Sequence, residues 1–235
     1  MGKIHSIQTM GLVDGPGIRG VVFFQGCSLR CAYCHNPDTW ELNRGGQEMT
    51  AEEIVNKLVK YKPYYERSGG GVTFSGGEPL LQPAFLLELL ECCREQGLHT
   101  ALDTCGVGLG DYDKILDLTD LVILDLKHSN PADFKDLTGR DMDKLHEFIV
   151  ALNRSTARVW IRHVVVPSIT DSKEHLAELK RLIATVKRVE KVELLPFHQM
   201  GQFKYEALGY EYRLRNVQPH TEEEFKTIEE EFFRD

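Results

Sequence analysis

Residues 69–104, GGGVTFSGGEPLLQPAFLLELLECCREQGLHTALDT, hold a complete strand–helix–strand unit. Gly71–Phe74 is a short run of strand-forming residues, and His99–Leu102 is another. Between them Pro83 stands where a first-turn proline belongs. Phe85, Leu86, Leu89, Leu90 and Cys93 then recur at helical spacing until Gly97 supplies a stop. Two strands joined by a crossover helix are parallel neighbours, and such crossovers are right-handed. The unit predicts an α/β fold built on a parallel sheet.

The same alternation extends in both directions. Apolar, β-branched runs recur at Ile18–Phe24, Leu121–Leu124, Val159–Val166 and Val192–Leu195, giving six strands in all. Thr50-Ala-Glu-Glu53 reads as a capping box ahead of Ile54, Val55, Leu58 and Val59 on one helical face. A weaker helical pattern covers Tyr112–Leu118, and another covers Leu145–Leu152 after a polar stretch holding Pro131 and Gly139. Asp171-x-x-Glu174 is expected to open a helix over Leu176–Val186. An irregular segment rich in Gly and Tyr follows the sixth strand, and Thr221-x-x-Glu224 opens a last helix. Six units are too few for a closed eight-stranded barrel, so an open partial barrel or a doubly wound sheet is expected. No linker or charge block divides the chain. One domain over 1–235 is expected, with a barrel over about 15–200 and the segment 201–235 packed on it.

A formal net charge of −8 argues against a broad nucleic-acid surface, which needs clustered Lys and Arg. No run approaches the roughly 18 apolar residues that span a bilayer, and the N-terminal residues lack the apolar stretch of a signal peptide. A cytoplasmic monomer is expected, without nucleic-acid or membrane partners. Six cysteines in a reducing compartment serve as metal ligands or redox groups more often than as disulfides.

In parallel α/β folds chemistry gathers at the C-terminal ends of the strands. Polar residues fall at those ends throughout: Gln25-Gly-Cys27, Ser75-Gly-Gly-Glu-Pro79, Asp103-Thr104, Asp125-Leu126-Lys127, and Pro196-Phe197-His198, with Arg162 inside the fifth apolar run. Cys27, Cys31 and Cys34 lie together in the first loop. A structural zinc site wants four ligands, usually two separated pairs, and inert thiols would sit on an apolar element rather than beside Ser28, Arg30 and Asn36. Three thiolates suit a [4Fe–4S] cluster that keeps one iron open to a ligand.

Cys27-Ser-Leu-Arg-Cys31-Ala-Tyr-Cys34 resembles the C-x3-C-x-aromatic-C signature of the radical S-adenosylmethionine (SAM) superfamily, and Ser75–Pro79 resembles its GGEP motif. Val13-Asp-Gly-Pro-Gly-Ile-Arg19, Phe23–Cys27 and Cys34-His-Asn-Pro-Asp-Thr-Trp40 are similar to the activating enzymes of glycyl radical enzymes. Trp40 to Gly69 carries no Cys, so the ferredoxin-like insertion of many such activators is missing. That matches the type acting on pyruvate formate-lyase.

The resemblance implies a partial (β/α)6 barrel with outer helices, a [4Fe–4S] cluster on Cys27, Cys31 and Cys34, and SAM as cofactor. It implies SAM contacts at Tyr33, Cys34, His35, Asn36, Gly76, Gly77, Glu78, Asp125, Leu126, Lys127, Arg162 and His198. Asp103, Thr104 and Asp125 are expected to hold a monovalent cation, and Asp14 to meet the protein substrate. Asp125 and Lys127 are two apart on a strand and so share a face. Arg162, in an apolar run, needs an anion, and the SAM carboxylate is the one expected. The implied reaction cleaves SAM reductively to a 5′-deoxyadenosyl radical, which takes a Cα hydrogen from a glycine of pyruvate formate-lyase. Flavodoxin or ferredoxin is the implied electron donor. Cys92, Cys93 and Cys105 receive no role and are read as structural.

Overall fold

The computed structural model describes residues 1–110 and 112–234. Among them one sheet contains β1 (Gly2–Gly11), β2 (Arg19–Phe24), β3 (Gln47–Met49), β4 (Gly71–Gly76), β5 (Thr100–Thr104), β6 (Leu121–Asp125), β7 (Arg158–Val165) and β8 (Val189–Pro196). The spatial order is β3-β1-β2-β4-β5-β6-β7-β8. From β2 to β8 every neighbouring pair is parallel, and these six strands are the six expected runs in chain order. The architecture is the partial (β/α)6 barrel, open between its first and last parallel strands.

β1 and β3 extend the sheet antiparallel at one edge. Neither stands out in the sequence. β1 is an edge element whose side chains are mostly half-exposed, so its GKIHSIQTMG lacks the concentrated apolar signal of a central strand.

Strand alternation sorts the residues into two compartments. On β7, Val159, Ile161, His163 and Val165 are buried on the helix side, while Trp160, Arg162 and Val164 are half-exposed toward the lumen. The main core lies between the outer face of the sheet and the helices, with Val22, Phe24, Val72, Phe74, Leu102, Val122, Leu124 and Ile161 from the strands. A small second cluster, Ala101, Leu121 and Ile123 with Trp160 against it, fills the lumen.

Helix signals held where a cap stood at the predicted place. Thr50 accepts from Glu53 N at 3.1 Å at the start of α1 (Ala51–Leu58), and Thr221 does the same for Glu224 at the start of α9 (Glu222–Phe233). α3 (Pro83–Glu95) begins on Pro83 as expected. α4 (Tyr112–Asp117) and α6 (Asp143–Arg154) also match. The cap of α7 (Lys173–Ile183) differs: Ser172, not Asp171, accepts from His175 N, while Asp171 accepts from Ser168 N in the preceding turn. Three short helices carry no helical pattern in the sequence: α2 (Lys62–Ser68), α5 (Pro131–Thr138) and α8 (Gln202–Leu208). Two turns give too few repeats for periodicity to register.

Leu12–Ile18, which joins β1 to β2, folds across the N-terminal end of the barrel. Arg19 fixes it there: fully buried, it donates to Thr73 Oγ1, to Val72 O and, at 3.3 Å, to Pro16 O. Thr73 Oγ1 in turn donates to Asp14 O at 2.7 Å. Arg19→Ala leaves these acceptors unpaired around a cavity and is expected to cost about 3 kcal/mol. Urea unfolding of the variant is the check, and an unshifted midpoint would contradict this role.

Candidate active site

The loop after β2 is held on three sides, by main chain on two and by side chains on the third. Gly26 N donates to Thr39 O at 2.7 Å and Cys27 N to Trp40 O at 3.0 Å, so the returning chain closes the loop at its base. Arg30 N donates to Thr138 O and Ala32 N to Leu137 O, tying the middle of the loop to the end of α5. From the third side Tyr205 Oη, on α8, donates to Cys34 O at 3.0 Å. Lys204 Nζ donates to Asn36 Oδ1 and to Asp38. The irregular stretch of the sequence reading is therefore a clamp on the cysteine loop.

Cys27, Cys31 and Cys34 line one cavity of about 420 Å³ at the C-terminal ends of the strands. Tyr33, His35, Asn36, Gly76, Gly77, Asp103, Thr104, Asp125, Lys127 and His198 line it too. Leu29, Ser75, Cys105, Val164, Leu195 and Pro196 also line it and were not among the expected contacts. Polarity at a strand end flagged Ser75 in advance, whereas Val164 and Leu195 carried no signal beyond strand periodicity. A second hollow, of about 570 Å³, lies at the opposite end of the sheet among Arg94, His99, Asp120 and Arg158, away from the thiols.

The glycine pair lets two main chains touch. Gly77 N donates to Phe24 O at 2.9 Å and Glu78 N to Gly26 O at 2.8 Å. A Cβ on Gly77 would lie 2.2 Å from Gly26 O, and one on Gly76, whose φ is +106°, would lie 2.4 Å from Phe24 N. Neither position admits a side chain.

Lys127 Nζ pairs with Asp125 Oδ2 and stands 5.4 Å above the Tyr33 ring. Burial works against the Lys127 charge, but Asp125, Tyr33 and Cys31 together outweigh it and the pKa rises well above the usual lysine value. Asp125 Oδ1 and the Tyr33 hydroxyl are buried without a partner. Ser75 donates to Asp103 Oδ2 at 2.7 Å; burial nevertheless lifts the Asp103 carboxyl above the usual carboxylate range. The His35 and His198 rings stack with centroids 4.0 Å apart.

Four expected contact residues do not line the cavity. Glu78 is fully buried behind it, where its carboxylate accepts from Leu80 N, Thr104 Oγ1, Cys105 N and Cys105 Sγ. Arg162 is engaged elsewhere: it pairs with Glu193 Oε2 at 3.0 Å and donates to Val13 O at 2.6 Å, so its anion is a protein carboxylate. The Leu126 side chain points into the helix-side core, as strand alternation requires between Asp125 and Lys127. Asp14 lies outside the cavity, within the electrostatic reach of Arg162 and Arg19; burial raises its pKa against both.

Residues 21–180 match the Radical SAM superfamily profile. The pyruvate formate-lyase-activating enzyme of Clostridium pasteurianum is 56% identical over 229 residues, covering 97% of this chain and 96% of that one. That of Staphylococcus epidermidis is 46% identical over 232 residues, covering 96% and 92%. The chain belongs to the radical SAM superfamily, in the family of pyruvate formate-lyase-activating enzymes. A crystal structure of a domain of pyruvate-formate lyase-activating enzyme from Bacteroides vulgatus superposes with TM-score 0.57 at 24% identity, over 71% of this chain and 94% of that one. A radical SAM methyltransferase from Sphaerobacter thermophilus superposes with TM-score 0.64 at 16% identity, over 100% and 75%. These two likenesses concern the fold.

Membership of the superfamily implies SAM and a [4Fe–4S] cluster, and the cavity fits them. Three thiols face one space, glycines strip its wall of side chains, and Asp125 keeps an unpartnered oxygen. Asn36 N donates to Cys34 Sγ at 3.4 Å, a contact of the kind that tunes cluster potential. Cys27, Cys31 and Cys34 are three ligands in one loop, where a structural zinc site takes four, usually as two separated pairs.

The placement of Glu78 separates two roles for it. Glu78→Ala orphans the Thr104 hydroxyl and the Leu80 and Cys105 N–H groups, at about 1–3 kcal/mol for each group not rescued by water. A lowered melting temperature and lowered iron content are expected, with the SAM KM of the folded fraction unchanged. A raised KM at an unchanged melting temperature would restore Glu78 as a SAM contact.

Proposed function

We propose that this chain activates pyruvate formate-lyase by installing a glycyl radical, with residues 1–235 acting as one radical SAM domain. The carrying observation is the convergence of Cys27, Cys31, Cys34, Gly77, Asp125, Lys127 and His198 on one cavity at the strand ends. Its relatives along nearly the full chain are named for this activity. When bound, the cluster and SAM supply reductive cleavage to methionine and a 5′-deoxyadenosyl radical able to take a Cα hydrogen from glycine.

The protein's part is to bind, orient and keep water out. Cys27, Cys31 and Cys34 would hold the cluster. The Gly76–Gly77 turn, free of side chains, receives the methionine end, with Lys127 and Asp125 beside it. Tyr33, His35, Asn36 and His198 flank the adenosine. Lys204 occupies the Asn36 carbonyl oxygen, which leaves the amide NH2 free to donate. Asp103, the Thr104 carbonyl and the unpartnered oxygen of Asp125 form the site for a monovalent cation; oxygen donors with buried negative charge suit a hard ion.

The Asp14 loop is the proposed receiver of the substrate's glycine segment. It carries Leu12 and Val13 at 72% and 76% exposure, and Arg162 ties it to the lumen wall. The electron comes from a low-potential carrier, flavodoxin or ferredoxin. The chain works as a cytoplasmic monomer; among the described residues no helix is long and apolar enough to cross a membrane.

Anaerobic reconstitution followed by SAM, dithionite and purified pyruvate formate-lyase is expected to yield 5′-deoxyadenosine and the glycyl-radical doublet in EPR. Cys31→Ala is expected to abolish both, together with the brown colour. SAM cleavage without a glycyl radical would remove the proposed protein substrate, and a reconstituted cluster that never cleaves SAM would remove the radical reading. For the cation, Asp103→Asn is expected to weaken SAM binding about tenfold, as loss of a supporting ligand does. Titration of SAM into wild type exchanged between potassium and a bulky organic cation should show a parallel loss.

A further inference from the structure

Three histidines outside the cavity are left without a task by the reaction. His163 on β7, His175 on α7 and His128 just after β6 are 0%, 6% and 3% exposed. The His128 and His175 rings lie 4.2 Å apart and those of His163 and His175 5.1 Å apart. Every polar contact in the group has one permitted direction. Leu126 O lies 2.7 Å from His163 Nδ1 and only accepts, so His163 carries its proton on Nδ1. Nε2 of the neutral ring is then a lone pair, so His175 Nε2, 3.2 Å away, must donate to it. His175 Nδ1 is left as acceptor, facing the Ser129 hydroxyl at 3.4 Å. The chain runs Ser129 to His175 to His163 to Leu126 O.

Its end point is the segment that faces the cavity. β6 stops at Asp125, and the Leu126 carbonyl is buried beyond it. That carbonyl belongs to the peptide plane joining Leu126 to Lys127, so whatever holds it sets the direction of Lys127. Leu126 N donates to Arg162 O at 2.9 Å. Two adjacent residues of β7 therefore fix both peptide planes of Leu126. We propose that His163, oriented by His175, is a positioning residue that holds the Asp125–Lys127 segment in its SAM-facing conformation. This rests on the reading of the cavity as the SAM site.

Burial pushes the His163 ring down to about 4 and the His175 ring to about 3, so both are neutral near pH 7 and the directed chain persists. Protonation of His163 would set its Nε2–H against the Nε2–H of His175, whereas protonation of His175 on Nδ1 would only reverse the contact with the Ser129 hydroxyl.

The test uses reconstituted holoenzyme and three variants. His163→Leu removes the donor, His163→Asn keeps an amide N–H where Nδ1 stood, and His175→Leu removes the outer link. His163→Leu is expected to raise the SAM Kd about tenfold, the size of effect seen for outer-shell partners, at unchanged iron content. His163→Asn should stay within about twofold and His175→Leu should fall between them. Ring 15N spectra of the oxidised wild type should show His163 as the Nδ1–H tautomer and His175 as Nε2–H. Should His163→Leu fail to fold, His163→Asn, His175→Leu and the spectra decide. Equal losses in His163→Leu and His163→Asn, no loss in either, or His163 as Nε2–H would overturn the proposal. Wild type that holds its cluster but binds no SAM would instead remove the cavity reading on which it stands.

Discussion

The contact on which the site depends involves no side chain. Gly77 N to Phe24 O and Glu78 N to Gly26 O join the ends of two adjacent strands by main chain alone, at a separation that a single Cβ would destroy. Because β2 and β4 are in parallel register there, Phe24 opposite Gly76, the cysteine loop and the glycine turn leave the sheet side by side. Glu78 anchors the far end of the turn on β5 through Thr104 and on Cys105 just after it. Thus one short motif couples three consecutive strand ends. The thiols are placed by the sheet as much as by their own loop.

That arrangement explains which parts were legible in the sequence. The six parallel strands were plain, because each is buried on its helix side and reads as a dense apolar run. The caps at Thr50 and Thr221 were plain because capping is local chemistry. What escaped was decided by packing between distant segments. α8 has seven residues and no periodicity of its own; its place is set by Tyr205 and Lys204 reaching Cys34 and Asn36, over 160 residues away in the chain. Arg162 was rightly expected to need an anion, but local sequence cannot say that Glu193, its register neighbour on β8, supplies it. Glu78 sits in a motif whose neighbours face the cavity, and only the geometry of the turn shows its carboxylate facing the other way.

The lumen concentrates charge that a packed barrel would exclude. Asp14, Asp103, Asp125 and Glu193 are met by Arg19, Lys127, Arg162 and Lys191, but the pairing is unequal. Arg162 with Glu193 and Lys127 with Asp125 are matched. Asp103 keeps only the Ser75 hydroxyl as a hydrogen-bond donor and has its pKa raised by burial. A buried carboxylate that the Arg162 charge compensates only in part is expensive to hold. Under the proposed function the deficit is met by ligands: a monovalent cation near Asp103 and Asp125, and the sulfonium charge of SAM. The strain on these carboxylates is then part of the affinity for positive ligands.

The thiols follow the same logic with the sign reversed. Burial raises the pKa of Cys27, Cys31 and Cys34, reaching about 12 for Cys31, so without metal all three are neutral thiols. Iron must displace three protons to bind, and cluster loading therefore strengthens as pH rises. The backbone around them is already fixed by Thr39, Trp40, Leu137, Thr138 and Tyr205. Binding therefore costs proton release and little chain ordering. The glycine turn and Lys127 line the same cavity as the three thiols, so a cluster held by those thiols would have both within the site. The parallel register of β2 and β4 thus sets where the three thiols and the glycine turn meet.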